Sequence, residues 1–151
     1  MRTVKDIIDT KGIMNNVIEP GTLVIDALHK LIEVNLSYLV VKDESGFKGL
    51  FSERDYTRNV VLKGRTSVTA TVGEVMSVDL PKVNVYDSAE DCMNILSTHR
   101  ARYLVAYDDS DFVGVITIHD LLRLVISNKE GVFDHTLAEQ LLEHDENGKV
   151  Y

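Results

Sequence analysis

A chain of 151 residues, 44% hydrophobic and 26% charged, is long enough to bury about two-thirds of its unfolded surface in a true core. Its formal net charge of −8 argues against non-specific nucleic-acid binding, which needs a basic face, although a few local Lys or Arg can still dominate one anion pocket. The single cysteine, Cys92, excludes an internal disulfide and fits a reducing, cytoplasmic setting. No apolar run approaches the ~18 residues of a membrane span, and residues 1–11 lack the h-region of a signal peptide.

In chain order, residues 3–8 read as a short helical lead-in, and residues 16–19 as a strand stopped by Pro20-Gly21. Over 23–34, Leu23, Ala27, Leu28, Leu31, Ile32 and Val34 share one face at helical spacing. Residues 37–42 form a β-prone run, 43–46 carry turn chemistry, 47–51 predict the next strand and 53–62 a helix. A polar linker follows over 63–70, and residues 71–76 read as a second lead-in. The order then recurs: strand near 82–85, helix over 88–99, strand over 102–107, turn at 108–111, strand over 112–117, helix over 118–127. The tail, 128–151, has no counterpart. Its apolar stripe of Phe133, Leu137, Leu141 and Leu142 suits a helix packed on its own domain or a contact with a partner.

The recurrence is a duplication. Residues 24–61 and 89–126 align without a gap at an offset of 65, with 12 of 38 positions identical, among them Asp26/Asp91, Tyr38/Tyr103, Gly49/Gly114, Asp55/Asp120 and Arg58/Arg123. A repeated unit decides the fold before any other signal. Each copy is too small to bury its sheet alone. Two copies packed about a pseudo-two-fold axis are therefore expected, with a cleft that has two related mouths. The expected divisions are a first repeat with lead-in and linker (1–68), a second repeat (69–127) and a helical tail (128–151).

The sharpest local pattern ends the third strand of each copy. Gly49-Leu50-Phe51-Ser52-Glu53-Arg54-Asp55 matches Gly114-Val115-Ile116-Thr117-Ile118-His119-Asp120. A hydroxyl followed three residues later by an acid is a capping box. The same geometry suits a nucleotide, because a helix N-terminus offers free N–H groups to phosphate. A carboxylate there can accept both hydroxyls of a ribose, and a glycine lets a base or sugar approach the strand. Duplication does not choose between cap and site, since a cap would also be duplicated.

The repeat length, the strand order and this motif resemble the tandem cystathionine-β-synthase-type (CBS) domain, or Bateman module, over residues 3–127. The string Gly49 to Tyr56 followed by Val61-Leu62-Lys63-Gly64-Arg65 is similar to a stand-alone subgroup of CBS pairs from bacteria and organelles. The resemblance implies an α/β (α+β) fold of two β-α-β-β-α repeats and a homodimer. It also implies a regulatory module that binds an adenine nucleotide between its repeats: AMP first, then ADP, ATP, NAD(H) or S-adenosylmethionine. Carried over by motif, Asp55 and Asp120 hold ribose hydroxyls, and Ser52 and Thr117 face phosphate or ribose. The backbone at Ser37-Tyr38 and Arg102-Tyr103 meets the adenine, Ile18 and Val83 wall the base, and Arg54, His119 and Arg102 compensate phosphate charge. Val40, Val105 and Val85 stand where many members carry proline.

Other chemistry is thinly supported. The histidines His29, His99, His119, His135 and His144 share no short ligand spacing, so no metal site is expected. Cys92, beside Met93 and four residues before Leu96, reads as a buried small hydrophobe without the basic surround of a redox thiol. Ser52 lacks an elbow motif and a paired His, and no phosphate-loop motif is present. Arg54, Arg58, Lys63 and Arg65 form either a solvated face or a phosphate-facing cluster. With no catalytic constellation, the chain reads as a sensor acting on a separate effector protein. The alternative is a dimeric interaction scaffold whose motifs are only caps.

Overall fold

The computed structural model describes residues 2–128. The expected tail stripe lies outside them. The elements are α1 (Val4–Lys11), β1 (Val17–Ile18), α2 (Val24–Val34), β2 (Tyr38–Asp43), β3 (Gly46–Ser52) and α3, a helical turn at Glu53–Asp55 running into Tyr56–Val61. They continue with α4 (Val72–Val75), β4 (Lys82–Asn84), α5 (Ala89–His99), β5 (Tyr103–Asp108), β6 (Asp111–Thr117) and α6 (Ile118–Asn128). Each copy follows the β-α-β-β-α order expected of it. No helix among the described residues is long and apolar enough to cross a membrane.

The strands form two three-stranded sheets, β1-β2-β3 and β4-β5-β6. In each, the first pair is parallel and the second antiparallel. The registers match: Tyr38 pairs with Ser52 as Tyr103 pairs with Thr117, and the hairpins carry the same irregularity, between Val41 and Lys42 and between Ala106 and Tyr107. The turns differ in detail. In the first copy Asp43 Oδ1 accepts from the N–H and hydroxyl of Ser45, at 2.8 and 2.7 Å, an Asx turn.

The chain divides into two compact units. Asn15–Asp79 is one; the segment ending at Met14 joins the chain from Leu80 onward as the other. This corrects the expectation that each repeat keeps its own lead-in. In the unit of the second repeat, Val4 N–H donates to Asp87 O, Lys5 N–H to Val85 O and Ala89 N–H to Arg2 O, at 2.9, 2.9 and 3.0 Å. In the unit of the first repeat, Val72 N–H donates to Thr22 O, Gly73 N–H to Pro20 O and Val24 N–H to Ala70 O, at 2.8, 2.8 and 2.9 Å. The two stitches are the same pattern, with the lead-ins exchanged. Burial fixes them: Val4 and Ile7 enter one core beside Leu104 and Ile116, while Val72 and Val75 enter the other beside Leu39 and Phe51. Each large side chain so buried contributes about 1.5–3 kcal/mol. A periodic pattern reports that a segment is helical but not which sheet receives it.

α1 begins with a complete capping box between Thr3 and Asp6. α2 and α5 both end on a left-handed residue, Asn35 (φ 60°) and Arg100 (φ 50°). Asn tolerates this conformation; Arg carries a Cβ penalty. Arg100→Gly is therefore expected to stabilise the fold, by up to about 1 kcal/mol. An unchanged or lower urea midpoint would show that Arg100 has contacts worth more than the strain.

The helix after the motif departs from expectation in the first copy. Tyr56–Val61 is wound as a π-helix, with Leu62 N–H on Thr57 O and Arg65 N–H on Val60 O, at 3.1 and 2.9 Å. Thr57, Val60 and Val61 are β-branched and weaken a regular helix. Asn59 Nδ2 donates to Val75 O, the last carbonyl of α4, at 2.9 Å. At the Asn59 position the second copy has Leu124, within α6.

Candidate functional site

Each motif sits where an antiparallel edge turns into a helix, and in both copies the acid folds back onto the cap. Ser52 N–H donates to Asp55 Oδ2 at 2.9 Å, Ser52 Oγ donates to the same oxygen at 3.1 Å, and Asp55 N–H returns to Ser52 Oγ at 3.4 Å. Thr117 N–H donates to Asp120 Oδ2 at 2.8 Å, and Asp120 N–H to Thr117 Oγ1 at 3.2 Å. Ser52, Asp55, Thr117 and Asp120 are 5–7% exposed. Two buried carboxylates in one register, each at the first turn of a helix, are the local feature around which a polyhydroxylated anion could be held.

The partners beyond the cap differ, and neither was legible in the motif. Asp55 Oδ1 accepts from Ser77 Oγ at 2.5 Å. Asp120 Oδ2 accepts from Lys11 Nζ at 2.9 Å, and the same ammonium donates to Val115 O at 2.9 Å. Arg123 stands 4.0 Å from Asp120 Oδ1. Ser77 follows α4 and Lys11 ends α1, so both newcomers belong to the lead-ins. The only hint in sequence was that a lead-in precedes each copy.

The motif glycines are also explained by the lead-ins. A Cβ on Gly49 would lie 2.5 Å from Ser77 O and one on Gly114 2.7 Å from Ile8 Cδ1. Ser77 and Leu50 exchange two backbone bonds there, at 2.8 and 3.0 Å. The space that a Cβ would need at each glycine is filled by the lead-in segments.

The match to family models then identifies the duplication: the CBS domain fits residues 4–62 and 72–127. The chain belongs to the CBS-domain family. This CBS pair is similar to CBSX3, a mitochondrial CBS domain-containing protein of Arabidopsis thaliana, at 27% identity over 68% of this chain. It spans 52% of the length of that relative. It is also similar to YhcV of Bacillus subtilis, at 28% identity over 85% of this chain and 89% of YhcV. Among solved structures, a protein with CBS domains from Burkholderia ambifaria MC40-6 superposes with a TM-score of 0.77 at 31% identity, covering 87% of this chain and 99% of the other. CBSX2 in complex with AMP superposes with a TM-score of 0.70 at 27% identity, covering 86% and 100%.

The remaining expected site residues fall into two groups. Within the Asn15–Asp79 unit of the CBS pair, Ser37 and Arg54 are exposed, and Tyr38 is buried with its carbonyl accepting from Asn16 Nδ2 at 3.0 Å. Within the other unit, Arg102 is exposed, and Tyr103 and His119 are half-buried. Ile18 packs against the core of its unit. Val83, at 4% exposure, lies in the core of the other. Both residues contribute to the packing of their units. Asn16, 3% exposed, was missed. It clips the chain ahead of β1 to β2, its carbonyl accepting from Val40 N–H at 2.7 Å. At the corresponding place Pro81 O accepts from Val105 N–H at 3.0 Å.

Cys92 is fully buried. Burial, with Asp87 and Asp91 adding to it, pushes its thiol up to about 11, so little thiolate exists near neutrality and the reading of an inert core residue holds.

Proposed function

We propose that this CBS pair is a cytoplasmic adenine-nucleotide sensor, with no catalysis of its own, that acts on a separate effector protein. The observation that carries the reading is the pair of buried, cap-locked carboxylates, Asp55 and Asp120, on a fold shared with CBSX2, whose structure contains AMP. In this reading each carboxylate takes ribose hydroxyls and Ser52 and Thr117 face ribose or phosphate. Backbone groups at Ser37-Tyr38 and Arg102-Tyr103 meet adenine. Arg54, Arg102 and His119 answer the phosphate charge. The exposure of Arg54 and Arg102 supports that last role, because an exposed guanidinium can reorient onto an anion. AMP is the first ligand to test, followed by ADP, ATP, NAD(H) and S-adenosylmethionine.

Calorimetric titration with AMP tests the reading. Asp55→Asn and Asp120→Asn are each expected to weaken one site tenfold or more, about 1.4 kcal/mol, while the variants still unfold cooperatively. Absence of binding by every nucleotide would favour the second reading, an interaction scaffold. That reading draws on the completeness of both caps: each motif hydroxyl and each acid already accepts from the other residue's backbone N–H.

A homodimer belongs to the same proposal. α2 leaves Ile32 76% exposed and α6 leaves Leu122 43% exposed, apolar surface that association through helices would cover. Light scattering that returns the mass of one chain would overturn the dimer without touching the nucleotide reading.

A further inference from the structure

We propose that Lys11 is a built-in cation latch on Asp120, and that it makes this carboxylate the weaker of the two ribose sites. The inference rests on the nucleotide reading above and adds to it a residue outside the motif. Lys11 is the last residue of α1, and α1 is held by Val4 and Ile7, which are 0% and 5% exposed in the core. The helix thus delivers the ammonium to one place. There Nζ bridges Asp120 Oδ2 and Val115 O, both at 2.9 Å, so it joins the strand to the helix at the step where the motif turns.

A ribose diol asks a carboxylate for room at its oxygens. Asp120 Oδ2 already accepts from Thr117 N–H at 2.8 Å as well as from Lys11. A ligand hydroxyl that takes this oxygen displaces the ammonium from a side chain only 5% exposed. Charge-assisted bonds of this kind are roughly twice as strong as neutral ones. Asp55 has the same cap, but its remaining partner is the Ser77 hydroxyl. Replacing one hydroxyl by another is an exchange of like for like. The two copies therefore present the same acid with unequal competition, and the inequality comes from the lead-ins.

The test is titration of AMP into the full chain and into Lys11→Met, Lys11→Gln and Lys11→Arg. Lys11→Met keeps the apolar stem; Lys11→Gln keeps a neutral donor and serves if the first fails to fold. The unaltered chain is expected to bind in two steps. In Lys11→Met and Lys11→Gln the weaker step tightens about tenfold, the stronger step stays in place, and Lys11→Arg restores the original pattern. A weaker step that loosens would make Lys11 a ligand contact and overturn the latch, as would one that does not move. No heat from any protein, with cooperative melting retained, overturns the nucleotide reading itself and the latch with it.

Discussion

Asp120→Ala lowers the stability of the protein by about 3 kcal/mol, or roughly 6–12 °C in midpoint for a chain of this size. Two losses act together, while the cap bond from Asp120 N–H to Thr117 Oγ1 is kept because its donor is backbone. The buried Thr117 N–H, which donates to Oδ2 at 2.8 Å, is left without its acceptor, about 1–3 kcal/mol. Lys11 loses its counter-charge at 2.9 Å. Because the Lys11 side chain is 29% exposed, it can turn partly to water, which keeps the total at the low end for a broken buried pair. Asp120→Asn retains an acceptor for Thr117 and is expected to cost less than half as much. Urea unfolding of the three proteins decides it. An Asp120→Ala midpoint within about 0.5 kcal/mol of the original would mean that neither the bond from Thr117 N–H nor the ion pair contributes in solution.

Gly49→Ala is expected to cost about 2 kcal/mol, and Gly114→Ala less than about 1. The two positions are equivalent in the repeat but meet different atoms. The new methyl at residue 49 would lie 2.5 Å from Ser77 O, a backbone atom held by its bond from Leu50 N–H at 3.0 Å. Relief requires the chain after α4 to move, and with it the Ser77 hydroxyl on Asp55. At residue 114 the clash is with Ile8 Cδ1 at 2.7 Å, the far end of a side chain that can change rotamer. Equal losses at both positions would show that Ile8 is as confined as the backbone. A larger loss at Gly114 would contradict the packing described. Gly49→Ala also carries a functional expectation under the sensor reading: the shift of Ser77 alters the first site and leaves the second alone.

The acids of the two motifs illustrate how a shared element acquires unequal neighbours. Duplication copied the strand, the turn into the helix and the capping pair. It did not preserve the lead-ins to the same degree, and these supply the third partner of each carboxylate. Ser77 and Lys11 have no chemistry in common, so the two copies have diverged at their margins while their centres stayed alike. A ligand that shifts the equilibrium of such a module does so only through its differential affinity for two states. An acid already paired to a cation and an acid paired to a hydroxyl are two different starting points for that shift.

The sequence by itself determined the elements and their doubling. Helical spacing over Leu23 to Val34, the β-prone runs, the turn at Asp43 to Gly46 and the hydroxyl–acid pairs at Ser52/Asp55 and Thr117/Asp120 are all set by neighbours at most a few residues apart. Periodicity and turn chemistry report such neighbours directly. Only the tertiary structure decided which sheet receives each lead-in, what Gly49 and Gly114 make room for, that Ile18 and Val83 face their cores, and which partners complete Asp55 and Asp120. Ser77 reaches Asp55 across 22 residues and Lys11 reaches Asp120 across 109. Contacts at those separations leave no period in a sequence. They arise because burying Val4 and Ile7 in one core, and Val72 and Val75 in the other, carries the residues after them to wherever the packed helices end.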